Sequence, residues 1–190
     1  MRLVLATRNP HKAREFAELL PGHDVAGLPA AVVLPPETGE TFAENALGKA
    51  RAAAAATGTA AFADDSGIAV AALGGEPGVR SARWAGEDAT DADNLRLLLE
   101  RVPEGAELEY VCAIAFADPA SAEERTFEGR CRGQMTHAPR GTGGFGYDPA
   151  FVPVDDTSGR TMAELSVAEK DAISHRGRAA REFLAWLATR

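Results

Sequence analysis

The sequence has little lysine, little cysteine and no long apolar run. Lysine occurs only at Lys12, Lys49 and Lys170, so basic charge rests almost wholly on arginine. A residue type that rare is worth inspecting wherever it occurs. Cysteine is limited to Cys112 and Cys131, which lie far apart with no metal-ligand spacing. That excludes a disulfide framework or a zinc site of ordinary pattern and points to reduced residues of a cytoplasmic protein. No stretch approaches the roughly 18 apolar residues of a membrane span. The apolar start, residues 1–6, is too short for a signal peptide before Thr7-Arg8-Asn9 interrupts it. Positive charge is in deficit, with a formal net charge of −8. A field of that sign repels nucleic-acid polymers and anionic membranes, so neither is expected as a partner. A small anionic ligand remains compatible, because a local cationic pocket can sit on an acidic protein. There is no Ser-His-Asp or Cys-His signature, no internal repeat and no linker.

What is present is globular. The chain has 190 residues, 45% hydrophobic and 25% charged, close to the averages for a single domain able to bury its own core. Residues 2–6 read as a buried strand. Asn9 then caps a helix with Pro10 at its first position and Phe16 and Leu20 at helical spacing. Extended backbone is predicted around Val32 and Val33. Thr41 and Glu44 form a capping box that opens an alanine-rich helix stopped by Gly58. Residues 60–63 and 68–73 read as two strands separated by a turn at Asp64-Asp65-Ser66-Gly67. Residues 74–86 read as an irregular loop, and Thr90-Asp91 caps a helix carrying Leu95, Leu98 and Leu99. Residues 108–116 and 125–135 form a plausible hairpin. A glycine-rich loop over 141–148 precedes a short strand over 150–154. Ser166 and Glu169 form another capping box, and a final helix starts near His175. The expectation is an α/β fold: a long mixed β-sheet flanked by helices, one domain over 1–190 with two lobes and a central cleft.

Four segments could carry chemistry. Thr7, Arg8, Asn9, Pro10, His11 and Lys12 lie where a strand end meets a helix start. Backbone N–H groups and the positive end of the helix dipole favour an anion there. Lys12 sits in the first turn against the dipole's preference, which is understandable if a ligand is bound. The ordinary alternative is an Asn cap beside a solvated lysine. At Asp64-Asp65, adjacent carboxylates repel unless a cation intervenes. Mg²⁺ takes carboxylates in ones and twos, with phosphate and water supplying the rest, and a carboxylate beside it can position or deprotonate water. The alternative is a plain Asp-Ser-Gly turn.

Residues 141–148, Gly-Thr-Gly-Gly-Phe-Gly-Tyr-Asp, satisfy the dinucleotide glycine spacing. They lack its strand-then-helix context, and no Gly-Lys-Ser/Thr makes them a P-loop. What remains is a loop offering Phe145 and Tyr147 for stacking, with Gly146 between them and Asp148 for a base edge or sugar. A structural glycine turn with core aromatics is the alternative. Lys170, His175 and Arg176 gather donors before the last helix, suited to phosphate or a purine carbonyl, or else to a solvated helix start.

Taken in order, several motifs accumulate: Thr7-x-Asn9-x-x-Lys12, Thr41-Phe-x-Glu44-Asn45-Ala46, Ala63-Asp-Asp-Ser-Gly67, Gly78-Val-x-Ser81-Ala-Arg83, residues 141–148, and Ser174-His-Arg-Gly177. Together they closely resemble the inosine/xanthosine triphosphate pyrophosphatase family over nearly the whole chain. The resemblance implies a homodimer and an Mg²⁺-dependent hydrolysis of a purine nucleoside triphosphate such as ITP, dITP or XTP to the monophosphate and diphosphate. It implies that residues 7–12 hold the triphosphate, that Asp65 is general base and metal ligand, and that Ser66 contacts substrate. Phe145 to Asp148, Lys170, His175 and Arg176 match residues around the base and sugar. The sequence departs twice from that pattern. Arg8 stands where the family often has Gly or Ser, and Pro36-Glu37 replaces a pair of acidic residues, leaving Glu37 as the substitute metal ligand. Rival readings are a pyrophosphatase for other modified nucleotides, a non-catalytic nucleotide sensor, and a nicotinamide oxidoreductase. The paired carboxylates oppose the sensor and the misplaced glycines oppose the oxidoreductase.

Overall fold

The computed structural model describes all 190 residues. Six strands form one sheet in the order β2-β1-β3-β4-β5-β6. They are β1 (Arg2–Leu5), β2 (Asp24–Gly27), β3 (Ala61–Val70), β4 (Glu107–Asp118), β5 (Glu123–Met135) and β6 (Phe151–Pro153). The helices are α1 (Pro10–Leu19), α2 (Phe42–Thr57), α3 (Asp91–Arg101), α4 (Val167–Ile173) and α5 (His175–Leu187). β1 runs parallel to β2 and β3, whereas β5 and β6 are antiparallel, so the sheet is mixed as expected.

The chain divides into two compact units. One contains Met1–Asp65, Cys112–Gly129 and Arg178–Arg190, and the other contains Ser66–Val111 and Arg130–Gly177. The first unit has an aromatic core of Phe16, Phe62, Phe116 and Phe183 with Leu3 and Leu5. It also has an alanine-lined core in which Ala46, Ala50, Ala53 and Ala54 of α2 meet Ala61, Ala63 and Ala115. Small side chains let α2 approach the strands closely. Two polar residues, Asn45 and Lys49, lie on the same buried face of α2, one turn apart. The second unit packs Ile68, Val70, Leu98, Tyr110, Cys131, Tyr147, Phe151 and Met162 into its own core.

The caps are where the sequence places them. Asn9 accepts from the backbone of His11 and Lys12, and Thr41, Thr90 and Ser166 each close a capping box. Gly58 ends α2 in the left-handed region with φ 62°. The stretch around Val32 and Val33 lies outside any strand, and the sheet edge beside β1 is Asp24–Gly27. Two local expectations are corrected. Asp64-Asp65-Ser66-Gly67 is not a turn but the middle of the ten-residue strand β3. The Gly67 backbone is held against another segment, and a Cβ there would lie 2.3 Å from Ser81 Oγ and 2.6 Å from the Gly78 carbonyl oxygen. Thus Gly67 serves close approach within a strand. Finally, residues 71–73 form a 3₁₀ turn instead of continuing the strand, and residues 78–83 form another inside the expected loop.

Candidate active site

Two clusters of polar side chains are built on this frame, one in each unit. In the first, Asp64 and Asp65 are consecutive residues in the middle of β3, so their buried carboxylates leave opposite faces of the strand. Each of them meets a lysine. Lys12 Nζ of α1 lies 2.9 Å from Asp64 Oδ2. Lys49 Nζ of α2 lies 2.6 Å from Glu37 Oε1 and 3.9 Å from Asp65 Oδ1. Asn45 Nδ2 donates to Asp65 Oδ2 at 2.9 Å, while its Oδ1 accepts from Gly39 N at 2.8 Å.

This environment sets the acidity of the groups. Burial pushes the Asp65 carboxyl above its ordinary range, with Glu37 adding to the rise, while Lys49, the Asn45 bond and Lys12 oppose it. Burial alone would lower Lys49, but Asp65, Asp64 and Glu37 outweigh that and raise it, so it remains an ammonium.

Glu37, Asp64 and Asp65 offer hard oxygen donors. Donors of that kind suit Mg²⁺, which is commonly held by one or two carboxylates with phosphate and water completing the shell.

The segment at residues 7–12 is more committed than its sequence indicates. Asn9 Oδ1 takes up the His11 and Lys12 N–H groups at 2.8 and 3.4 Å. Those donors are therefore capped, and the Lys12 ammonium is itself paired with Asp64. Thr7 Oγ1 accepts from Asn9 N, Pro10 occupies the first helical position, and the exposed His11 ring faces Arg14. Arg8 turns to a different task. Its guanidinium donates to the carbonyls of Leu28, Pro29, Ala30 and Val32 at 2.7–3.2 Å. It fastens the loop before Glu37, which accounts for an arginine at that position.

The second cluster begins one residue further along β3. Ser66 Oγ accepts from Arg176 at 2.8 Å. Arg176 is 2% exposed, and His175 and Lys170 are also buried, so the start of the last helix is not a solvated surface. Ser174 caps it, accepting from Gly177 N at 3.0 Å. Lys170 Nζ donates to Asp148 Oδ2 at 3.0 Å, and the Phe145 N–H donates to the same oxygen at 3.0 Å. Tyr110 donates to Asp148 Oδ1 at 3.0 Å and stacks on His175 at 4.6 Å. The half-buried Phe145 ring lies 5.3 Å from Lys170 Nζ and 5.6 Å from the Arg176 guanidinium.

The glycine loop is pinned. Gly143 N donates to the Ala163 carbonyl at 2.9 Å, and Gly146 N donates to Asp91 at 3.0 Å. Gly144 has φ +69°, and a Cβ there would lie 2.0 Å from Asp148 Oδ2. Phe145 keeps a partly exposed ring. Tyr147 is in the core with its hydroxyl donated to the Ser81 carbonyl at 2.7 Å, and Asp148 is buried with both oxygens engaged. For these two residues the structural alternative describes the packing better than open availability to a base.

Asn45 and Tyr110 belong to these clusters without any sequence signal of a site role, whereas Asp64 is legible only as one of the paired carboxylates and Lys49 only as a rare lysine. The rarity of lysine was a usable signal: all three lysines are at most 14% exposed at the side chain and lie against site carboxylates.

The sequence profile of the Ham1 family matches residues 3–186. The chain belongs to that family. It is 54% identical over 184 residues to the dITP/XTP pyrophosphatase of Symbiobacterium thermophilum, covering 94% of this chain and 90% of that protein. It is 50% identical over 193 residues to the dITP/XTP pyrophosphatase of Streptomyces avermitilis, covering 96% and 95%. Among solved structures, the HAM1 protein of Coxiella burnetii superposes with a TM-score of 0.88 at 39% identity over 100% of both chains. A nucleoside-triphosphatase / dITP/XTP pyrophosphatase of Mycobacterium abscessus superposes with a TM-score of 0.74 at 45% identity, covering 97% of this chain and 99% of that one.

Proposed function

We propose that the protein hydrolyses deaminated purine nucleoside triphosphates, dITP, ITP and XTP, to the monophosphate and diphosphate, removing them before they can be incorporated into nucleic acid. The observation that carries this reading is Asp65. It is a buried carboxylate with raised proton affinity, held by Asn45 and faced by Lys49 in a chain about half identical to named dITP/XTP pyrophosphatases.

Asp65 takes a proton from a water molecule. The water oxygen bonds to phosphorus at the α–β phosphoanhydride, and the bond to diphosphate breaks. Lys12 offsets negative charge on the phosphates, and Lys49 keeps Glu37 and Asp65 from repelling each other. Asp65 and Glu37 would hold Mg²⁺, which when bound supplies charge neutralisation on the phosphate oxygens. His175 and Arg176 read the base. A 6-oxo group accepts from donors, whereas adenine's 6-amino group would set donor against donor and leave both unpaired.

No helix is long and apolar enough to cross a membrane, and neither cysteine is in a disulfide; the cysteine usage supports a cytoplasmic location. The family resemblance supports a homodimer, for which light scattering after gel filtration is the test. Activity is tested by diphosphate release from ITP, XTP, GTP and ATP with and without Mg²⁺. Rapid, metal-dependent release from ITP and XTP with slow release from ATP is expected. Equal rates on all four would overturn the reading.

A further inference from the structure

The chain has only two tyrosines, and both spend their hydroxyls inside the second unit. Tyr147 donates to a backbone carbonyl, a common structural use. Tyr110 is different. It points from β4 into the core, is 6% exposed, and donates to a carboxylate at 3.0 Å. A phenylalanine would fill the space between Phe151, at 4.5 Å, and His175, at 4.6 Å. The added hydroxyl carries a desolvation cost that only the bond to Asp148 offsets.

That bond sorts the Asp148 oxygens. Oδ1 accepts from Tyr110, leaving Oδ2 to accept from Lys170 and from the Phe145 backbone. The carboxylate therefore sets the positions of the glycine loop and of Lys170 together, and the tyrosine hydroxyl sets the carboxylate. The tyrosine ring meanwhile lies nearly parallel to the His175 imidazole, with 9° between the planes. One side chain thus touches both the loop's fastening point and the first residue of α5.

We propose that Tyr110 is a positioning residue for base recognition, its hydroxyl orienting Asp148 and its ring orienting His175. The proposal rests on the functional reading above. It assigns Tyr110 no contact with substrate; its effect passes through Phe145, Lys170 and His175.

The test compares wild type, Tyr110→Phe and Tyr110→Leu by steady-state kinetics on ITP and ATP, by calorimetric Kd for IMP, and by melting temperature. Tyr110→Phe keeps the stack and loses the hydroxyl. It is expected to raise KM for ITP and Kd for IMP about threefold to tenfold, the value of one buried hydrogen bond, with a smaller change in kcat. Tyr110→Leu also loses the stack and is expected to narrow the ratio of ITP to ATP turnover. If Tyr110→Phe binds IMP like wild type and only melts earlier, Tyr110 is a packing residue and the proposal fails. Should Tyr110→Leu not fold, the phenylalanine variant alone decides. A wild type that neither hydrolyses ITP nor binds IMP would bring down the functional reading itself, and the positioning role with it.

Discussion

Asn45 holds Asp65: the amide on α2 donates to Asp65 Oδ2 at 2.9 Å, and Oδ1 is left facing Lys49 at 3.9 Å. The two oxygens of one carboxylate are thereby given different surroundings, one fixed by a neutral donor and one in the field of an ammonium.

Asp65→Asn keeps the shape and an oxygen acceptor for Asn45 but removes the group that takes the proton. Turnover of ITP is expected to fall by about 10²–10⁴-fold, with IMP affinity largely kept. A variant retaining more than about a tenth of wild-type kcat would deny Asp65 that role.

Lys12→Ala has two expected consequences. It removes a positive charge from the segment proposed to hold the triphosphate, so kcat/KM for ITP should fall while Kd for IMP changes little. It also takes the ammonium from Asp64, which is wholly buried and 2.9 Å away. Breaking a buried pair costs on the order of 3–5 kcal/mol, so the variant should melt well below wild type. Equal losses in IMP binding and ITP turnover would instead place Lys12 near the base.

Arg176→Lys keeps the charge at a buried site but loses the planar fork that reaches Ser66 at 2.8 Å. ITP turnover is expected to drop far more than the slow turnover of ATP, compressing their ratio by roughly 5- to 100-fold if one buried donor is lost. A parallel decline in both would make Arg176 a phosphate or folding residue and shift base reading to the Phe145 loop.

At the edge of the second unit, Arg160 bridges Asp156 at 3.0 Å and Glu169 at 2.9 Å. Hydrogen bonds from Arg160 and its neighbours hold both carboxyls down, each to about 2. Depressed acids stabilise the fold above their unfolded values, near 4, and lose that contribution as pH falls toward 2. Arg160→Gln should therefore melt slightly earlier than wild type near neutral pH. The gap should narrow as the medium is taken from about pH 5 to about pH 2. A gap that stays constant over that range would mean Arg160 acts by packing.

The sequence alone determined whatever depends on neighbours along the chain. Asn9, Thr41, Thr90 and Ser166 declared their helix starts because a cap bonds to N–H groups two or three residues away. The paired carboxylates, the glycine loop and Ser174-His-Arg-Gly177 were legible as candidate chemistry, and their order carried the family likeness. Tertiary structure decided what those residues face. Asp64-Asp65 reads locally as a turn, yet it runs straight through β3 because Lys12 and Lys49, distant in sequence, balance the charge. Asn45 looks like any polar residue of α2 until the helix packs against the strand and aims it at Asp65. Arg8 sits in a segment whose sequence suits an anion but binds four carbonyls from residues 28–32, and Tyr147 sits in a glycine loop but lies in a core. Long-range pairing of charges and donors has no sequence periodicity, so only folding reveals which partner each buried polar group has found.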